Sequence, residues 1–166
     1  MGHGPDAGSD ELVRRLREKA RVLYFGKEVP HHSCGIAVAQ TFGLPTRPYQ
    51  ALRKGGITGE GLCGAVLAGQ LVLGELLGDP DPTGAVTPAL REAMSSYLQA
   101  VRTRVDRRRA ASLACNDLTG QFPDFGSEER LSFCTGIVET VAGALAEVLA
   151  AHGVKVDPAP VRPPSR

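Results

Sequence analysis

The sequence predicts an all-α protein, a compact bundle of about five to seven helices. Three observations predict it. Apolar residues recur at helical spacing in several separate stretches flanked by capping residues. No β-type alternation of useful length appears. The 166-residue chain is 42% apolar but only 5% aromatic and lacks Trp, so its core must come mainly from Ala, Val and Leu, which lets elements approach closely. The length fits one domain, and a chain of this size hides roughly 70% of its unfolded surface.

Residues 1–9 are Gly-rich and read as a flexible start. Asp10 reads as the N-cap of a first helix carrying Leu12, Val13, Leu16, Ala20, Leu23 and Tyr24 on one face, with Gly26 as its stop. Ser33 is placed to cap a second helix running through Ala37 and Ala39 to Phe42, with Gly43 at C′. Pro45 to Arg53 suggests a short helical piece, and Lys54 to Gly61 a Gly-rich loop. Leu62 to Gly78 is apolar on nearly every side and predicts a central helix buried on most faces. Gly64 and Gly69 cost that helix roughly 1 kcal/mol each relative to Ala, which points to close approach of another backbone or a bound group. Gly74 and Gly78 read as loose helix ends.

Thr87-Pro88 is a cap followed by proline at the first helical position. Leu90, Met94, Tyr97, Leu98, Val101 and Val105 then hold one stripe. The arginines between Arg102 and Arg109 read as charge at a helix C-terminus rather than as a nucleic-acid patch. Phe122 to Gly126 is a loop, Ser127 with Glu128 and Glu129 opens a helical turn, and a final apolar helix runs from Cys134 to His152. The organisation is thus a flexible 1–9, a single helical four-cysteine domain over 10–153, and a Pro-rich disordered tail over 154–166.

Charge is balanced, 19 Lys plus Arg against 18 Asp plus Glu, so no nucleic-acid partner is expected. No membrane partner is expected either, since no run approaches the roughly eighteen apolar residues of a span. Met1 to Arg21 shows no apolar leader, and Arg14-Arg15 is followed by Leu-Arg-Glu-Lys. The expected compartment is the cytoplasm, where thiols stay reduced. The apolar Gly-rich helix leaves a homodimer open.

The cysteines then carry the chemistry: Cys34, Cys63, Cys115 and Cys134. Four thiols in a reducing compartment point to metal, cluster or redox work rather than static staples. No CxxC pair is present, which weighs against a zinc ribbon or finger, and no CxxCH, which weighs against attached haem. Cys34, Cys63 and Cys134 fall at expected helix starts, where free N–H groups and the helix dipole favour thiolate. Cys115 is expected at or beyond the end of the long helix. For any one of them, inert burial is as good a reading.

These residues resemble a family of small bacterial and archaeal redox-active proteins named for the pattern C…GCAxxG…C…C and related to part of the split-Soret cytochromes. Ser33-Cys34-Gly35-Ile36-Ala37 is similar to its first cysteine motif. Gly55-Gly56 through Leu62-Cys63-Gly64-Ala65-Val66-Leu67-Ala68-Gly69 resembles its Gly-rich loop and central cysteine helix. Cys115-Asn116-Asp117-Leu118 and Cys134-Thr135-Gly136-Ile137-Val138 fall where the last two cysteines belong. Ser33 stands where Asn is usual, and the small residues after Cys63 are shifted. The resemblance implies a redox centre in which Cys34, Cys63, Cys115 and Cys134 bind an iron–sulfur cluster, with Gly64 beside it. The alternatives are a thiol–disulfide protein using a cysteine pair, a zinc or other soft-metal scaffold, and no cofactor. The redox partner is not named by the sequence.

Other candidates are weaker. His31 and His32 could ligate metal or supply a base, although an exposed pair is more often solvated. His3 and His152 read as peripheral, and Asp117 as a turn or cap residue. Glu60 falls near Cys63. Gly55, Gly56, Gly59 and Gly61 lack the Lys-Ser/Thr signature of a phosphate loop.

Overall fold

A computed structural model describes residues 7–163. The reading of 1–9 as flexible and the placement of His3 lie outside the described residues up to position 6. Six α-helices and one 3-10 helix follow in order: α1 (Ala7–Phe25), α2 (Cys34–Thr41), the 3-10 helix (Arg47–Leu52), α3 (Gly64–Leu77), α4 (Pro88–Arg104), α5 (Cys115–Thr119) and α6 (Glu128–Ala151). Among the described residues there is no strand, only an isolated antiparallel bridge between Leu62 and Ala114. The all-α bundle is what the periodicity predicts.

α6 is the axis of the bundle and packs against α1, α2, α3 and α4. Its buried residues include Ile137, Val138, Val141, Leu145 and Leu149, which meet Leu16, Ala20 and Leu23 of α1 across one core. The helix has 24 residues and a mean hydropathy of 1.6 over its most apolar window, long and apolar enough to cross a membrane, but 67% of that window is buried inside the fold. Its start differs from the sequence reading. Ser127 accepts the backbone N–H of Arg130, so the helix opens at Glu128 and Cys134 lies well inside it. Nothing between Glu128 and Cys134 breaks a helix, and two acidic residues in the first turn suit its dipole.

α1 likewise starts earlier than expected. Ala7, Gly8 and Ser9 are helical, and Asp10 lies in the first turn instead of capping it. α4 follows its signals closely: Thr87 Oγ1 accepts the Leu90 N–H at 3.1 Å and Pro88 is the first helical residue. Arg104 near its end pairs with Glu147 of α6 at 2.7 Å. The segment after α6 carries no regular element up to residue 163. It still lies against the body: Val154, Val156 and Val161 pack on the core, and Lys19 Nζ donates to the Asp157 carbonyl at 3.1 Å. Spaced valines give this proline-rich stretch apolar contacts that its composition alone does not suggest. Positions 164–166 of the expected tail lie outside the described residues.

Glycines set the closest approaches, as their cost inside α3 implies. At Gly64 a Cβ would overlap the Leu52 carbonyl oxygen and lie 2.9 Å from Cys34 Sγ. At Gly69 it would overlap the hydroxyl of fully buried Tyr97, which donates to the Val66 carbonyl at 2.8 Å. Gly74 has no such neighbour within 4 Å, consistent with a loose end. Gly69→Ala should therefore push Tyr97 off its bond and lower stability by about 1–3 kcal/mol, the usual cost of overpacking. Gly74→Ala should be neutral or slightly stabilising. Urea unfolding of the two variants checks the contrast.

Candidate functional site

Each cysteine comes from a different element. Cys34 is the first residue of α2, Cys63 is the N-cap of α3, Cys115 is the first residue of α5, and Cys134 sits inside α6. Cys115 thus opens a short helix of its own rather than trailing the long one, because α4 ends at Arg104. All four are free thiols; Cys63 is buried and the other three are partly exposed.

The Gly-rich loop fixes two of them relative to each other. Lys54, Gly55, Gly56, Ile57 and Gly59 all take positive φ, so the chain curls tightly on itself. The Gly55 and Gly61 backbones are bonded at 3.0 Å. The loop then grips the segment before α5. Cys115 N–H donates to the Gly61 carbonyl at 2.9 Å, Asn116 N–H to Gly59 at 2.8 Å, and Cys63 N–H to Leu113 at 2.8 Å. A Cβ at Gly55 would overlap that of Cys115, and one at Gly59 would overlap the Asn116 amide. The glycines therefore serve backbone docking of the two cysteine segments rather than a phosphate cradle. Glu60 is exposed on this loop, and Asp117 is tied to Ser112 Oγ at 2.5 Å as a turn residue.

One cavity of about 330 Å³ is lined by Cys34, Cys63, Cys115 and Cys134 together, with Gly64, Ser33, Tyr24 and His31. Leu118, Ile137 and Val138 give it an apolar wall. Its charged lining is entirely cationic: Arg53, Lys54 and Arg130, with no carboxylate. The Phe125 ring lies at the same cavity between Lys54 Nζ at 5.0 Å and the Arg130 guanidinium at 4.3 Å. The four thiols share this space without forming a ready ligand knot. Among the described residues no group of three or more His, Cys, Asp or Glu is gathered closely enough to hold a metal ion.

Within the cavity Cys34 and Cys63 shift each other's titration in opposite directions. The Cys63 thiol donating to it lowers the pKa of Cys34, assisted by the Gly35 N–H at the start of α2 and opposed by burial. Cys63 is pushed well up, first by that same bond and then by burial and the neighbouring charge. Of the two, Cys34 is the one shifted toward the thiolate and Cys63 the one shifted toward the thiol. Burial raises Cys115, and nearby Cys63 and Cys134 add to it. Burial also raises Cys134, partly offset by hydrogen bonding from Arg130.

The donor set suits a soft thiolate-loving group, and two further observations fit one in the cavity. Ser33 Oγ is buried with no hydrogen-bond partner, although Ser33 occupies the N-cap position of α2 where it was expected to cap. A buried hydroxyl left unpaired is costly and has a donor to offer. At Gly64, which lines the cavity, a side chain would crowd Cys34 Sγ and the Leu52 carbonyl.

Of the histidines, His31 lines the cavity and His32 does not. His31 Nδ1 contacts the Tyr24 carbonyl and its ring lies edge-on to Tyr24 at 4.9 Å. His32 Nδ1 contacts the Pro30 carbonyl at 2.7 Å. His152 is the C-cap residue of α6. Sequence reasoning missed Tyr24, Lys54, Phe125 and Arg130 as cavity residues. The signal for Arg130 is its position one turn before Cys134 on one helix, visible only once α6 is started at Glu128.

Fold and site together define a class: a small helical protein with four thiols drawn from separate helices onto one cavity. A family model described as "Putative redox-active protein (C_GCAxxG_C_C)" matches residues 32–148, and the chain belongs to that family. No curated protein and no solved structure matches it.

In the metal-free protein, Cys34 should alkylate at lower pH than Cys115 or Cys134, because its thiolate persists to lower pH. Cys63→Ala should remove that preference by deleting the donor. Mass-spectrometric mapping of iodoacetamide labelling across pH reads both outcomes.

Proposed function

We propose that the chain is an electron-transfer protein in which Cys34, Cys63, Cys115 and Cys134 hold an iron–sulfur cluster. The observation that carries this reading is the single cavity onto which all four thiols open. A lone zinc ion draws its thiolates to about 2.3 Å from one centre. The thiols here are not gathered that tightly. A cluster distributes four cysteines over two or more irons and suits a wider ring. When bound, such a cluster supplies reversible one-electron transfer.

The chain's own residues prepare the space. Leu118, Ile137 and Val138 keep one wall dry. Arg53, Lys54 and Arg130 offset the negative charge that four thiolates bring, in a lining that contains no competing carboxylate. The Ser33 hydroxyl offers a hydrogen bond that nothing in the protein uses. On this reading the partners are a protein that donates one electron and another that accepts it.

One observation favours a second reading, a dithiol centre. Cys34 and Cys63 line the same cavity, with Cys34 shifted toward the thiolate and Cys63 toward the thiol. Cys34 would attack a partner's disulfide, releasing one partner thiolate. Cys63, giving up its proton, would then attack Cys34 Sγ and release the second. The partner disulfide becomes a dithiol while the Cys34–Cys63 pair becomes a disulfide, so electrons and atoms balance.

Anaerobically purified protein should contain iron and acid-labile sulfide and absorb in the visible. Cys63→Ser should lose most of both while keeping its helical circular dichroism, and Arg91→Ala on exposed α4 should keep them. Colourless protein with stoichiometric zinc would overturn the cluster in favour of a scaffold. Colourless, metal-free protein whose thiols disappear in pairs, with Cys34 joined to Cys63, would overturn it in favour of the dithiol.

A further inference from the structure

We infer that the cysteine cavity is also a binding site for a small organic carboxylate, its anionic head among Arg53, Lys54 and Arg130 and its apolar body on Leu118 and Ile137. This goes beyond the cluster reading and does not rest on it. All five residues line the cavity. Its volume of about 330 Å³ falls at the lower end of the roughly 300–1,000 Å³ usual for small-molecule sites.

The charge of the lining carries the argument. Arg53 and Lys54 follow the 3-10 helix directly, and Arg130 comes from α6. No carboxylate lines the cavity with them. Among the described residues, ion pairs occupy Arg14, Arg21 and Arg104, whereas none takes Arg53, Lys54 or Arg130. A cleft lined by one sign of charge concentrates ions of the opposite sign. Arg130 is also fixed in advance. Its Nε donates to the Phe125 carbonyl at 2.6 Å, its Nη1 to the Tyr24 hydroxyl at 2.9 Å, and its guanidinium lies 4.3 Å from the Phe125 ring centroid. A guanidinium held this way loses little freedom on gripping a carboxylate.

The backbone adds donors. α2 and α3 both start at the cavity, whose lining includes Ser33, Cys34, Cys63 and Gly64. Neither helix has a side-chain cap or an acidic residue in its first turn. Among the described residues, each of the other four α-helices has at least one of these: Asp10 in α1, the Thr87 cap of α4, Asp117 in α5, and the Ser127 cap of α6. The first N–H groups of a helix have no partner within it and attract anions. Ser33 is an independent sign of a missing ligand. Its Oγ is buried without a hydrogen-bond partner, so the lining holds an unused hydroxyl donor.

Benzoate is the probe, with benzyl alcohol as its uncharged counterpart. Each is titrated into the full chain, purified under reductant, and followed by ligand-observed NMR at low and high salt. Benzoate should bind about tenfold or more tighter than benzyl alcohol, and salt should weaken it by screening. Arg130→Gln should weaken benzoate about tenfold, the worth of a charge-assisted hydrogen bond. Lys54→Gln and Arg53→Gln should each weaken it about threefold, because exposed cations contribute less. Arg91→Gln, on the exposed side of α4, should leave it unchanged. If Arg130→Gln fails to fold, Lys54→Gln and Arg53→Gln decide the matter. No binding of benzoate, equal binding of benzyl alcohol, or wild-type benzoate affinity in Lys54→Gln and Arg53→Gln would overturn the inference. Iron and sulfide counted on the same samples test the cluster reading separately, so either can fail alone.

Discussion

The site depends on a contact that only glycine allows. Gly35 and Gly64 let α2, the 3-10 helix and the start of α3 come together until the Leu52 carbonyl sits where a Gly64 side chain would be. That approach is what brings Cys34 of one helix beside Cys63 of the next. A methyl group at position 64 would have to move a backbone carbonyl, not the tip of a flexible side chain. Core packing transmits such a shift because interiors are close-packed. The Ala-rich composition of α2 and α6 serves the same end, since small residues keep helix axes near one another.

A second layer of positioning comes from the loop between Arg53 and Leu62. Its left-handed backbone turns its carbonyls toward the segment before α5. Cys63 and Cys115, far apart in sequence, are thereby held through main-chain hydrogen bonds rather than through side chains. Both residues line the cavity. Lys54 and Ile57 are the two non-glycine residues of this loop with positive φ, and Ile57 is 63% exposed. Nothing in the packing explains a β-branched residue there.

What the sequence made legible follows from the range of each interaction. Local signals held: Thr87-Pro88 starts α4, Gly43 ends α2 with positive φ, and the buried glycines of α3 do meet neighbours. Boundaries without a local breaker were misplaced. Cys134 is inside its helix because the Ser127 cap is stronger than anything near residue 134. Asp10 is in a first turn because helix can extend back to Ala7 at little cost. The sharing of one cavity by four cysteines was anticipated from the family pattern, not from periodicity, because it is a long-range fact. Tyr24 and Arg130 escaped notice for the same reason. Tyr24 belongs to the apolar stripe of α1, and only the packing of α1 on α6 turns its hydroxyl to Arg130.

Because the sulfurs are dispersed over positions 34, 63, 115 and 134, no short stretch of the chain contains all four. During synthesis the first two cysteines leave the ribosome long before the helix that carries the last. Until α6 has emerged, the cavity lacks Cys134 and the apolar wall of Ile137 and Val138. The cavity is therefore complete only after translation of nearly the whole chain.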